Sequence, residues 1–387
     1  MPLLDVFRLF GAICVFFVHA HTGYNVSTPL ANYGTQWLTW FFMLSGFVLA
    51  LRYGEAVWSK TELHQYLVAR LSRILPVYLM AVVISFAVVS VGISIWGMGF
   101  FNEVSGRVSL YLFALPENVS LGCVALNALT HALFLQTFVG QNFCGGAFLI
   151  NPPLWSAAVE MWIYLLFPWV VRWVWRIGRA EVVCACIAAL MVLDALYVYV
   201  FVPVSSHSVW SEVVWSVHFN PLVRLLELTV GVLLGRLWVL TSGFERSWRA
   251  TGPVATLALF AVVWGGVLWG QLNYTTAYWL SATGLPWAFL ALLLMVYLSS
   301  WSGFNRGGFA SWCASMSYTV YCTHWCLLEL FAVSGLKRFF MASLGPWGAI
   351  LFCLGFILVL SHLISKIEKM VLPFVKRVLS GGIYAAR

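Results

Sequence analysis

The feature that most constrains this chain is a series of apolar segments, each long enough to cross a lipid bilayer. The segments lie at 3–20, 37–53, 75–95, 153–171, 181–200, 220–240, 252–270, 279–299, 313–333 and 345–365. A helix that spans a bilayer needs about 20 largely apolar residues. Only 9% of the residues are charged, whereas soluble domains contain about 25%. The sequence therefore predicts an all-α polytopic membrane protein with about ten transmembrane helices.

The distribution of Lys and Arg predicts the orientation of these helices. If the N-terminus is cytoplasmic, the inner segments hold 16 basic residues and the outer segments hold three, Arg107, Lys337 and Arg338. Basic residues concentrate in cytoplasmic loops, so both termini are expected in the cytoplasm. The net charge of +8 then comes from basic cytoplasmic loops next to the membrane lipids and requires no nucleic-acid partner.

One long segment, 96–152, falls outside the membrane in this topology. Its apolar piece THALFLQTF (130–138) is too short to span, so it predicts a re-entrant or surface helix on the outer face. Cys123 and Cys144 can pair if this loop faces an oxidising compartment, which the sequence leaves open. We expect a single transmembrane domain over 1–387 with no appended soluble domain.

The first helix carries charged and titratable side chains, which are costly in hydrocarbon and therefore candidates for function. Arg8 and His19 are eleven residues apart. They lie on one helix face and about 16 Å apart along the axis. Asp5 lies on a turn next to Arg8, and we expect the two to pair.

Further polar side chains lie in later spans. Ser156 and Glu160 share a helix face at i,i+4, and Glu160 falls at a depth comparable with His19, where a carboxylate orients an imidazole. The alternative is an ion pair between Glu160 and Arg224. Arg224 and Glu227 are i,i+3 and favour a neutralising pair within one helix.

Three more groups of residues complete the set of candidate functional residues. His324 shares a stripe with Ser317 and Tyr321 near mid-membrane, and either binds a substrate or only packs. Arg70 and Arg73 lie on adjacent turns at the inner surface, where they suit a polyanion or anionic lipid. The nine cysteines have no metal-ligand spacing, and no metal is expected.

Five motifs occur in the order found in a known family. They are LDVFRLFGAICVFFVH, with Arg8 and His19, then WFFMLSGFVLA with Ser45, ARLSRILPVY, LWSAAVEMWIYLLFP, and SYTVYCTH with Tyr318. In this order they resemble the acyltransferase-3 family of integral membrane acyltransferases, which O-acylate bacterial polysaccharides, lipopolysaccharide and other glycans. The chain departs from the family pattern at Leu9, usually Gly, and at Met161, usually acidic.

The resemblance implies transfer of an acyl group, acetyl by default, from cytoplasmic acetyl-CoA to a hydroxyl of a glycan or lipid-linked saccharide at the outer face. The membrane that the resemblance implies is the bacterial inner membrane. His19 would be the general base or a transient acyl acceptor, and Glu160 its orienter. Arg8, Arg70 and Arg73 would bind the CoA donor. The remaining residues expected to contact substrate or support the site are Asp5, Ser45, Ser156, Arg224, Glu227, Tyr318 and His324.

Two other classes of function fit the same composition. A membrane transporter or glycolipid flippase would use the intramembrane charges as a substrate pathway, although no inverted repeat is visible in the sequence. A structural scaffold would use them only to lock helices together, and would tolerate replacement of His19.

Overall fold

The computed structural model describes residues 2–21, 23–26, 34–97, 100, 119–139, 149–201, 219–241, 288–293, 296 and 308–380. These ranges are mainly helical and contain no strand. The helices are α1 (Pro2–Ala20), α2 (Gly34–Tyr53), α3 (Lys60–Trp96), α4 (Leu121–Ala132), α5 (Leu154–Trp175), α6 (Ala180–Phe201), α7 (Pro221–Leu240), α8 (Gly308–Val333) and α9 (Leu336–Leu379). The prediction of an all-α chain is confirmed for the part of the chain described.

Five of the described helices are long and apolar enough to cross a membrane. They are α1, α3, α5, the stretch Ala180–Tyr197 of α6, and α9. Helices α2, α7 and α8 lie where spans 37–53, 220–240 and 313–333 are predicted. Span 252–270 and most of span 279–299 lie outside the described residues.

Helix α3 begins 15 residues before the predicted span at 75–95, at Lys60. Its start is a capping box, in which the Glu62 N–H donates to Ser59 Oγ over 3.2 Å and the Ser59 N–H donates to Glu62 Oε2 over 2.9 Å. Pro76 lies inside the helix without ending it, as membrane helices allow. Arg70 and Arg73 are therefore part of a continuous helix.

Helix α9 also exceeds the predicted span at 345–365. A kink divides it at Gly345, whose φ of 68° lies in the left-handed region that glycine adopts without strain. Pro346 then starts the second part of the helix. The helix continues past the apolar stretch to Leu379, because helix formation itself does not require apolar side chains.

The predicted outer segment contains α4, which begins earlier than expected. Ser120 caps it by accepting a hydrogen bond from the Cys123 N–H, and the chain turns at 133–138. The prediction of a helix over 130–138 is therefore wrong in position, because α4 ends at Ala132 and Phe134 adopts a left-handed φ of 58° that does not continue a helix. Cys123 is disulfide-bonded, and Cys144, its predicted partner, lies outside the described residues.

The chain divides into two compact units. The first comprises Met1–Phe7, Thr35–Leu63 and Trp162–Ser311, and the second comprises Arg8–Gly34, His64–Met161 and Trp312–Arg387. Each unit is therefore assembled from segments that are distant in sequence.

In the first unit, α2 and α7 approach each other at backbone level. A Cβ atom added to Gly231 would overlap the carbonyl oxygen of Met43, and one added to Gly46 would overlap that of Leu228. Close approach of this kind needs small residues at the crossing point. The pair Gly231 and Gly235 supplies them on α7 at the spacing of a GxxxG motif.

In the second unit, most of α8 after Trp312 is buried. Its polar side chains Thr319, Thr323, His324 and Glu329 are all 0% exposed. By contrast, α9 exposes large apolar side chains such as Phe352 and Val359. This distribution fits a bundle whose polar groups face inward and whose apolar groups face lipid.

Candidate active site

The centre of the second unit brings together two histidines from opposite ends of the sequence. His19, in the last turn of α1, places its Nδ1 atom 3.1 Å from the Nε2 atom of His324 in the middle of α8. The two rings are stacked, with centroids 5.2 Å apart and planes 28° apart. The edge of Trp325 meets the His19 ring at a centroid distance of 5.4 Å.

The two imidazoles differ in accessibility. His324 is fully buried, with 0% of its surface exposed, whereas His19 is only partly buried. Of the two residues, His19 is therefore the one that keeps some exposed surface. Two imidazoles in hydrogen-bond contact can hold and transfer one proton between them, which suits acid–base chemistry.

A second set of contacts holds His324 in place. Its Nδ1 atom lies 2.6 Å from the carbonyl oxygen of Tyr321. The hydroxyl of Tyr321 forms a short hydrogen bond with Ser156 of α5 and also donates to the Pro153 carbonyl over 3.3 Å. The start of α5 is therefore connected through Tyr321 to the turn of α8 that carries His324.

Glu160, predicted to orient His19, lies on α5 within electrostatic range of Tyr318 and Cys322 of α8. The ring nitrogen that meets His19 belongs to His324. The orienting role of Glu160 stays a prediction.

The arginines predicted to bind the donor have different environments in the second unit. Arg70 is buried, at 8% exposed, whereas Arg73 is exposed and interacts electrostatically with Glu368 of α9. The Tyr318 hydroxyl donates to the Ile74 carbonyl over 3.3 Å, which attaches this part of α3 to α8. Arg8 is partly buried on α1.

Four other predicted residues belong to the first unit. The Arg224 Nη1 atom lies 2.8 Å from Glu227 Oε2 and donates to Thr39 Oγ1 over 3.3 Å, so the intrahelical ion pair expected from the i,i+3 spacing is present. Both side chains are buried, at 1% and 3% exposed. Ser45 and Asp5 are partly buried, and the predicted Asp5–Arg8 pair stays a prediction.

A polar cluster that the sequence analysis did not identify lies in the second unit. Gln136 Nε2 donates to the Tyr78 hydroxyl over 2.8 Å and to the Leu154 carbonyl over 3.2 Å. Asn151 Nδ2 donates to Ser85 Oγ over 2.9 Å and to the Cys322 carbonyl over 3.3 Å. The amide oxygens of Gln136 and Asn151 are buried and receive no hydrogen bond from the described residues. Gln136 and Asn151 are single polar residues outside the helices, and no motif in the sequence marks them as members of such a cluster.

No group of three or more His, Cys, Asp or Glu side chains that could hold a metal ion occurs among the described residues. The candidate site of the second unit is thus an imidazole pair within a helical membrane domain.

Comparison with known proteins identifies the class to which this domain belongs. Residues 2–366 match the acyltransferase-3 family, which is described as an acyltransferase domain. The chain belongs to this family and is a membrane acyltransferase, as its five ordered motifs predict. A protein of Rhizobium radiobacter, named "Protein 2 in picA locus", is 28% identical over 200 residues, which are 49% of this chain and 91% of that protein. No solved structure gives a significant match to the chain.

Proposed function

We propose that this protein transfers an acetyl group from cytoplasmic acetyl-CoA to a hydroxyl of a glycan or lipid-linked saccharide at the outer face of the bacterial inner membrane. The observation that carries the proposal is the contact of His19, a partly buried residue, with the fully buried ring of His324. An imidazole in this position acts as the general base that removes the proton of the acceptor hydroxyl. The membership of the chain in an acyltransferase family supports acyl transfer as the reaction.

The disulfide bond supports the proposed orientation. Cys123 lies in the segment between α3 and α5 and is disulfide-bonded. Disulfide bonds form and persist in oxidising compartments such as the bacterial periplasm. The same segment is the outer one when the basic residues face the cytoplasm, so two independent features favour one orientation.

The placement of Arg73 supports a donor site at the inner end of α3. Arg73 is exposed, one turn from the buried Arg70, and a guanidinium at this position suits the phosphates of CoA. Tyr318 attaches the adjacent Ile74 to α8, and His324 follows six residues later, about 9 Å along the helix. Helix α8 would therefore connect the site of the donor phosphates to the imidazole pair.

The function is tested by supplying radiolabelled acetyl-CoA to the cytoplasmic side of membrane vesicles from cells that carry the gene. We expect label to appear in the glycan fraction, and to be absent from vesicles of a deletion strain. If a glycolipid crosses the membrane while acetyl-CoA is not consumed, the protein is a transporter and the proposal is wrong.

Replacement of Arg73 tests the donor site. We expect Arg73→Ala to raise the KM for acetyl-CoA by about tenfold with little change in kcat, because one charge-assisted hydrogen bond is worth about 1.5–3 kcal/mol. Acetyl-pantetheine, which lacks the CoA phosphates, should react equally with both proteins. Arg172→Ala is the matched control, because Arg172 is an exposed arginine of α5 in the first unit. Equal acetyl-CoA binding by wild type and Arg73→Ala in calorimetry would remove Arg73 from the donor site.

A further inference from the structure

We infer that His324 is a positioning residue, which accepts a hydrogen bond from Nδ1–H of His19 and so leaves the Nε2 lone pair of His19 as the base. The inference rests on the proposed function for the role of His19 in acyl transfer. His324 itself is 0% exposed and does not contact substrate.

The protonation of His324 follows from its own partners. Its Nδ1 atom lies 2.6 Å from the Tyr321 carbonyl oxygen and 3.2 Å from the Val320 carbonyl oxygen. Carbonyl oxygens only accept hydrogen bonds, so Nδ1 carries the proton. A fully buried imidazolium facing another imidazole would be an uncompensated charge, and the neutral ring is the form that fits this position. The Nε2 atom of neutral His324 is then a hydrogen-bond acceptor.

The tautomer of His19 is determined by this acceptor. Its Nδ1 atom lies 3.1 Å from His324 Nε2, and two nitrogen lone pairs at that distance would repel each other. The Nδ1 atom of His19 therefore carries the proton, and its Nε2 atom carries the lone pair. The Val15 backbone, one turn earlier, also hydrogen-bonds to His19. His131 makes the same kind of contact with the residue one turn earlier. There the contact is made by Nδ1, which lies 2.9 Å from the Asn127 carbonyl oxygen.

The hydrogen bonds that link the two histidines to Tyr321 all run in one direction, from His19 towards Tyr321. The Tyr321 carbonyl accepts from His324, and His324 accepts from His19. As the acceptor oxygen bonds to the thioester carbonyl carbon, Nε2 of His19 takes the hydroxyl proton. The carbon–sulfur bond then breaks, and the same proton passes to the departing thiolate to give the CoA thiol. The transient positive charge on His19 is stabilised by its hydrogen bond to His324, as an orienting acceptor does in other acid–base sites.

Three variants of His324 separate this role from simple packing. His324→Gln places an amide oxygen near the position of the lost Nε2 atom and keeps an acceptor for His19. His324→Asn places its amide near the position of Nδ1 and keeps the bond to Tyr321, but offers His19 no acceptor. His324→Leu fills the space without any polar group.

We expect His324→Asn and His324→Leu to lower kcat for labelled acetyl transfer by about 100-fold, with KM for acetyl-CoA changed by less than about twofold. These variants remove the acceptor that orients His19 and stabilises its transient charge, but they leave donor binding intact. His324→Gln should retain kcat within about tenfold of wild type. His21→Gln is the control, because the Nδ1 atom of His21 lies 2.7 Å from the Val18 carbonyl of α1, and it should leave kcat unchanged. A His324→Asn variant as active as wild type, or a His324→Gln variant as inactive as His324→Leu, would overturn the inference.

Nitrogen-15 NMR of histidine-labelled protein in nanodiscs measures the tautomer directly. The His19 signal, assigned by its loss in His19→Ala, should show a protonated Nδ1 and an unprotonated Nε2 in wild type, and a mixture of tautomers in His324→Asn. A protonated Nε2 in wild type would contradict the inference even if acetyl transfer is observed. The expected tautomer in a protein that transfers no acetyl group would instead refute the proposed function and leave the hydrogen-bond assignment intact.

Discussion

Replacing His19 with Ala is expected to lower acetyl transfer by about 100- to 10,000-fold, the range that a general base contributes. The neighbouring imidazole of His324 does not take its place, because it is fully buried. Its loss also removes the partner of the His324 Nε2 atom. The rate is measured as label transferred from acetyl-CoA to the glycan fraction of membrane vesicles, at matched protein amounts.

His21→Ala is the matched control for this variant. His21 lies two residues further along the chain and is also partly buried, and its Nδ1 atom lies 2.7 Å from the Val18 carbonyl. We expect wild-type transfer from His21→Ala and the same monodispersity in detergent for both variants. Normal transfer by His19→Ala would support the reading of the chain as a scaffold and would end the acyl-transfer mechanism proposed for this imidazole.

The sequence predicts the membrane class and the family because both depend on local patterns. Apolar runs of about 20 residues define the spans, and the ordered motifs define the family. Helix ends are less predictable from apolarity, as α3 shows. Its start depends on the capping box of Ser59 and Glu62, which lies 13 residues or more before the predicted span at 75–95. That signal is readable in the sequence by its S-x-x-E spacing.

The candidate site is only partly predictable, because helical spacing gives the relative positions of residues on one helix and not their partners on another. Spacing places Arg8 and His19 on one face of α1. It identifies His324 as a buried polar residue, but the contact between His19 and His324 joins residues 305 positions apart. The depth in the membrane that the sequence predicts for Glu160 would alone favour this residue as the partner of His19. Which side chain meets the ring depends also on how α5 and α8 are rotated about their axes, and packing determines that rotation.

The approach of α2 and α7 illustrates the same limit for packing. Gly231 and Gly235 have the GxxxG spacing that is typical of close helix contacts in membranes, so α7 is recognisable as an interface helix from its sequence. Its partner is not, because α2 contributes Gly46 from a position 185 residues earlier than Gly231.

Replacing Gly231 with Leu is expected to prevent the first unit from packing. The Cβ atom alone would overlap the carbonyl oxygen of Met43 and approach its carbonyl carbon to 2.7 Å, and a backbone oxygen cannot move aside as a flexible side chain can. Overpacking a well-packed interior costs about 1–3 kcal/mol and occasionally more, and we expect at least the upper figure here. The variant should therefore yield little monodisperse protein in detergent and should unfold at a lower temperature than wild type.

Gly355→Leu is the matched control, because a Cβ atom at Gly355 of α9 meets nothing within 4 Å. Alanine at both positions gives a milder comparison, in which only the Cβ atom is added and the polarity of the helix face is unchanged. Gly231→Ala should lower the unfolding temperature, whereas Gly355→Ala should raise it slightly, since Ala is favoured over Gly within a helix by about 0.5–1 kcal/mol. Equal unfolding temperatures for the two alanine variants would show that α2 and α7 do not approach at Gly231 as closely as described.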